Sequence, residues 1–197
     1  MNYLAHLHLS NDNPNFISGS VLGDFIKGNP HRDFDKEIAY AIMLHRNIDS
    51  FTDKHAIVRK CRESIHPDYR RFSGIMLDII FDHFLAKHWS LYSDKTLESF
   101  TQEMYIVLNS QSHIYPIALT NTIEHMTKND WLSNYQYKHN IAPTLRGISH
   151  RIKRENNLAD SHHELIDKYN HIESQFFIFF PELIEFAKQH KAKFYLS

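Results

Sequence analysis

Apolar residues recur at helical spacing along most of the chain. Between Asn15 and Lys27, Phe16, Val21, Leu22, Phe25 and Ile26 mark one helix, and Gly28 supplies a C-terminal stop. Ile38, Ile42, Ile48 and Phe51 mark a longer helix from Asp35 to about Asp53. Pro67 suits the first turn of a helix, where its missing N–H costs nothing. Phe72, Ile75, Met76, Ile79, Ile80, Phe84 and Leu85 carry that helix to about Trp89. Asp94 can cap a helix over Lys95 to Asn109, Pro116 and Asp130 open shorter segments, and Pro143 lies near the start of another that runs through Arg154. From Asp160 to about Phe180 the pattern is helical again, and Pro181 either kinks this helix or begins a last one ending near His190. Period-two alternation between tight turns is nowhere sustained. The expected fold is all-α, a compact multi-helix bundle forming one domain over residues 1–197.

Composition narrows the function classes. The net charge is −1, so the chain as a whole is no polycation, and no nucleic-acid partner is expected. The N-terminal residues lack the basic and apolar regions of a signal peptide. The apolar run Phe176 to Phe180 falls far short of the roughly 20 residues that a membrane-spanning helix needs. That run is expected to be core packing, and the protein to be cytoplasmic with no membrane partner. The single cysteine, Cys61, excludes an internal disulfide and a multi-cysteine zinc site, and reads as a small buried hydrophobe. Histidine stands out, at 16 residues. Beside many aspartates, it points to a metal site of nitrogen and oxygen ligands.

Four clusters before residue 90 concentrate such side chains: Ala5-His6-Leu7-His8, Gly23-Asp24 with Lys27, His45-Arg46-Asn47-Ile48-Asp49 continuing to Asp53, and Asp78-Ile79-Ile80-Phe81-Asp82-His83. Helical positions four apart stack on one face, so His45 pairs with Asp49 and Asp78 with Asp82. His83 lies about 140° from Asp78 on an ideal helix of 100° per residue, at the edge of that site or facing elsewhere. The helix bearing Asp78 and Asp82 is apolar almost all round, and buried carboxylates need a partner. A divalent cation would serve, and so would Arg46 or Arg71. Asp49 and Asp53 read equally well as ligands or as solvated helix-face charges. His6 and His8 share a face only if the segment is extended.

These four motifs, in this order, together with the late Phe179-Phe180-Pro181-Glu182, resemble the acyl carrier protein phosphodiesterase (holo-ACP hydrolase) family. The resemblance runs to the C-terminus and implies an all-helical, HD-domain-like phosphohydrolase. Family members use a divalent metal, typically manganese, to remove 4′-phosphopantetheine from the serine of holo-acyl carrier protein. The usual HD signature places His directly before Asp, whereas the adjacent pair here is Asp82-His83.

On that resemblance, His6, Asp24, His45, Asp78 and Asp82 are the expected metal ligands, and Asp24, Arg46 and His83 the expected catalytic residues, with His8 an alternative general acid. Such a donor set suits Mn²⁺ or Fe²⁺ and is compatible with Mg²⁺ or Zn²⁺. Lys27 and Arg71 are expected to hold substrate. The stretch from Trp131 to Arg154 carries Lys138, Arg146, Arg151, Lys153 and Arg154 with no Asp or Glu, a formal charge of +5. Arg151 and Arg154 are therefore expected to meet the acidic carrier protein. Two other readings share these residues: an HD-like phosphohydrolase for a nucleotide or other small phosphoester, and a helical interaction module whose Asp and His form structural networks.

Overall fold

In the computed structural model, residues 1–11 and 13–196 are described. Among them are eleven α-helices and no strand, so the all-α expectation holds. The helices are α1 (Tyr3–Leu9), α2 (Pro14–Leu22), α3 (Lys36–Lys54), α4 (Ala56–Ser64), α5 (Ser73–Lys87), α6 (Leu97–Ser110), α7 (Ile117–Lys128), α8 (Trp131–Asn134), α9 (Ile141–Arg151), α10 (His162–Asp167) and α11 (Tyr169–Tyr195). No helix among the described residues is long and apolar enough to cross a membrane.

Local chemistry sets the helix ends. Asn13 caps α2 by accepting the N–H groups of Asn15 and Phe16, with Pro14 in the first turn. The helix expected to reach Lys27 stops at Leu22, where the N–H groups of Phe25 and Ile26 fold back onto the Leu22 carbonyl. Asp24 thus sits in a turn and not on a helix face. Thr96, rather than Asp94, caps α6 through the Ser99 N–H. Pro181 lies inside α11, which continues through it to Tyr195. Its missing N–H removes the helical bond to the carbonyl of Phe177, and both residues are exposed, so water can take the place of that bond.

Buried apolar side chains from Met1 to Ala187 form one contiguous cluster. Phe176 and Phe179 of α11 are fully buried and pack on Phe81 and Phe84 of α5, and Phe180 is buried against Phe176 and Tyr92, whereas Phe177 and Ile178 of the same run face outward. Cys61 is buried too, and burial pushes its thiol up to about 11. Helices α2 and α3 cross very closely, since a Cβ on Gly19 would lie 2.4 Å from that of Ala41. This approach brings the main chain at the end of α2 against His45 on α3.

Candidate metal centre

Three elements converge on His45. Its Nδ1 lies 2.6 Å from the Ser20 carbonyl of α2, which can only accept, so Nδ1 carries a proton and Nε2 faces the other way. Nε2 is 3.1 Å from Asp49 Oδ2, one turn along α3, and 3.3 Å from Asp24 Oδ1 in the turn after α2. The His6 ring of α1 stacks on His45 with centroids 3.8 Å apart, and its Nε2 lies 3.1 Å from Asp49 Oδ1. Its Nδ1 is buried without a protein partner, so Nε2 makes the ring's polar contact. His6, His45 and Asp49 each offer a donor atom within 4.8 Å of the others.

Gly23 is what lets the turn approach. A Cβ there would fall 2.2 Å from His45 Cγ and 2.3 Å from its Cδ2. Arg46, beside His45, donates to the carbonyls of Gly28 (2.7 Å) and Ile26 (2.5 Å) and so fastens the loop that carries Asp24.

The cluster opens into a cleft of about 340 Å³ lined by Asp24, Asp49, Asp53, Asp78, Tyr3 and Arg151, among others. Asp78 receives the N-terminal ammonium of Met1 at 2.9 Å, and Asp49 lies 3.5 Å from the same group. Burial lowers the pKa of that amine, but the charges of Asp78 and Asp49 outweigh it and raise it to about 10. Burial and the neighbouring His45 lower His6 to about 4, so its ring is neutral at pH 7. Burial also acts to lower His45, but hydrogen bonds to Asp24 and Asp49 and their charges raise it to about 9. Burial tends to raise Asp24 and Asp49, yet hydrogen bonds from the histidines hold both below the usual carboxylate range.

Not all of the expected site residues meet here. Asp82 is fully buried and accepts the N–H groups of Leu4 (2.8 Å) and Ala5 (3.3 Å), while Asn2 caps Tyr3, so it fastens the start of α1 to α5 and positions His6 from behind. Burial raises its pKa to about 7. His83 faces away from the cleft: Nδ1 donates to the Tyr135 carbonyl at 2.7 Å, and Nε2 accepts from the Tyr169 hydroxyl at 2.6 Å. His8 points into the aromatic core, against Trp89, Phe100 and Phe180, because two residues along a helix turn it about 200° from His6. Arg46 is occupied with the loop carbonyls. Lys27 and Arg154 are exposed and outside the cleft, and Arg71 lies over Phe72 and reaches the Glu155 carbonyl. Arg151 does line the cleft. The residue that spacing alone left undecided is Asp49, which stands at the centre of the cluster.

Asp82→Ala removes the acceptor of two buried N–H groups. It is expected to lower the melting temperature by roughly 5 °C or more, since each unpaired group costs about 1–3 kcal/mol. Asp82→Asn, which keeps one acceptor oxygen, should lose less. Thermal melts followed by circular dichroism check this, and an Asp82→Ala protein that melts with wild type would remove Asp82 as the anchor of α1.

An all-helical chain that gathers imidazoles and carboxylates at the mouth of a cleft belongs to the class of helical proteins with a candidate cation-binding site. Comparison with known proteins makes the assignment specific. The model of the acyl carrier protein phosphodiesterase family matches residues 1–183. Proteins of that name from Escherichia coli O45:K1 and Klebsiella pneumoniae strain 342 are 36% and 35% identical over 195 residues, covering 96% and 95% of this chain and 98% of each relative. The protein so named from Serratia proteamaculans is 34% identical over 189 residues, covering 95% of this chain and 98% of its own. The chain belongs to the acyl carrier protein phosphodiesterase family and is a phosphodiester hydrolase. No solved structure matches it significantly, so the HD-domain likeness gains no support from that comparison.

Proposed function

We propose that the protein is a divalent-metal-dependent phosphodiesterase that releases 4′-phosphopantetheine from the serine of holo-acyl carrier protein, leaving the apo form. The observation that carries the metal dependence is the convergence of His6, His45 and Asp49 at the mouth of an acidic cleft. Donors about 2.1 Å from a common ion and at right angles to one another lie about 3 Å apart, and separations of 3.1, 3.1 and 3.3 Å fit that spacing. The donor types suit a borderline divalent ion such as Mn²⁺ or Fe²⁺. His6, His45, Asp49 and Asp24 would hold the ion, with Asp78 within reach of a second position in the same cleft. Once bound, such an ion polarises the phosphoryl oxygens and lowers the pKa of water to near neutrality.

The chain's own groups do the rest. The Met1 ammonium answers Asp78 and Arg62 answers Asp53, so Asp24 and Asp49, beside the two histidines, are the carboxylates whose charge a bound cation would offset toward a phosphodiester. The guanidinium of Arg151 lines the same cleft and offers paired N–H donors to phosphoryl oxygens. Asp24, more exposed than Asp49, can orient the attacking water. The water oxygen bonds to phosphorus and the bond from phosphorus to the serine oxygen breaks; one proton goes to serine and one to solvent. Lys138, Arg146, Arg151, Lys153 and Arg154 are all exposed on and beside α9, a surface suited to steering an acidic carrier toward the cleft.

Incubating holo-carrier protein with this enzyme and Mn²⁺, then measuring intact mass, tests the reading. The carrier should lose the mass of the phosphopantetheine arm, the loss should stop with chelator, and it should resume when metal is restored. A carrier of unchanged mass under all conditions would contradict the assignment.

A further inference from the structure

Past Asn2, Tyr3, Ile148 and Arg151, which line both, the acidic cleft continues into a larger groove of about 570 Å³. That volume is within the range of sites that take small molecules. Among the described residues no carboxylate lines it, in contrast to the four in the cleft. Five asparagines contribute to its polar lining, beside hydroxyl side chains, His125 and Arg151. Asn129, Asn134 and Asn140 donate their side-chain NH2 groups to the carbonyls of His125, Asn129 and Asn134, at 2.8, 2.9 and 3.0 Å. A carbonyl can only accept, so the amide orientation is fixed and each Oδ1 is the atom left over. These asparagines line the groove beside apolar walls such as Trp131 and Pro143, and their spare acceptor capacity suits an uncharged chain that carries N–H groups.

Gly147 gives the second, independent observation. It lies within α9 and lines this groove, and a Cβ there would meet nothing within 4 Å. Glycine weakens a helix relative to alanine, and here neither a left-handed backbone nor close packing calls for it. What it preserves is open space in the groove.

We propose that this groove holds the 4′-phosphopantetheine arm of the substrate, with the phosphodiester in the cleft beside Arg151 and the arm's two amide N–H groups against the asparagine oxygens. The proposal rests on the holo-carrier reading of the function. The arm has no charge beyond its phosphate, two amides and a pair of methyl groups, which is the chemistry that the lining matches.

Gly147→Leu tests it, because the side chain would fill the groove while improving the helix. Its kcat/KM on holo-carrier protein is expected to fall at least roughly ten-fold further than its kcat/KM on bis(p-nitrophenyl) phosphate, a diester with no arm. Gly147→Ala should lose much less. A folded Gly147→Leu enzyme that loses nothing on the carrier, or loses equally on both substrates, overturns the proposal. Titration with pantetheine, read by tryptophan fluorescence, keeps the two readings separable. If wild type leaves the carrier intact, the functional reading fails by itself. The groove assignment then stands if pantetheine gives a saturable change in the millimolar range that Gly147→Leu abolishes, and falls if wild type shows none.

Discussion

Asp49→Ala is expected to reduce hydrolysis of holo-carrier protein by roughly 1000-fold, the scale seen when one group that stabilises transition-state charge is lost. Among the described residues Asp49 is the carboxylate that touches both histidines, with one oxygen 3.1 Å from His6 Nε2 and the other 3.1 Å from His45 Nε2. Its loss removes an oxygen donor and also the group that holds the two imidazoles in register. The side chain is half-buried at the cleft, so the helical circular-dichroism spectrum should survive its truncation. Asp49→Asn keeps an oxygen but loses the charge, and should fall between the two. Activity of Asp49→Ala within ten-fold of wild type, at saturating Mn²⁺, would take Asp49 out of the site.

Gly23→Ala is expected to be nearly as damaging, although it adds one methyl group and removes nothing. The added carbon would overlap His45, whose ring has little room to yield because it is stacked on His6 and bonded to the Ser20 carbonyl. Overpacking of this kind costs about 1–3 kcal/mol. Displacing a metal-binding or catalytic side chain by about 1 Å can cost 100-fold in rate. A lower melting temperature, weaker Mn²⁺ binding by calorimetry and roughly 100-fold slower turnover should appear together. Gly147→Ala, with open space at its Cβ, should show no such loss of stability. A Gly23→Ala protein with wild-type metal affinity would mean that His45 does not depend on the turn beside it.

The helices were legible where apolar periodicity was long and the caps were strong. The long helix expected from Asp35 to Asp53 lies at Lys36–Lys54, and the one expected from Pro67 to Trp89 is a 3₁₀ segment over Pro67–Phe72 followed by α5 at Ser73–Lys87. The end of α2 was not legible, because Phe25 and Ile26 continue the apolar pattern past Leu22 although the backbone has already turned there. That turn packs against His45, more than 20 residues away, and Gly23, its local signal, is embedded in the apolar pattern. Helix α1 was open to two readings, and its helical form is what separates His6, in the cluster, from His8, in the core.

Spacing pointed to several of the groups that the fold gathers, but not to all of them. His45 and Asp49 share a face as expected, and the i to i+4 relation was the available signal for Asp49. Asp78 and Asp82 share a side of α5 but differ in depth. Asp78 is about one-third exposed at the cleft, whereas Asp82 lies beneath α1 with no exposure and spends its oxygens on backbone N–H groups. Arg46 had the charge to serve substrate, but two loop carbonyls claim its guanidinium. A sequence records which groups can bind an ion; which of them main-chain groups have already satisfied depends on tertiary approach.

Crystals grown with Mn²⁺ and measured at the manganese absorption edge test the central claim most directly. The expected anomalous difference map has a peak about 2.0–2.3 Å from His6 Nε2, His45 Nε2 and an Asp49 carboxylate oxygen, with Asp24 alongside. A map with its only manganese peak elsewhere, and these side chains bonded to one another alone, would contradict it.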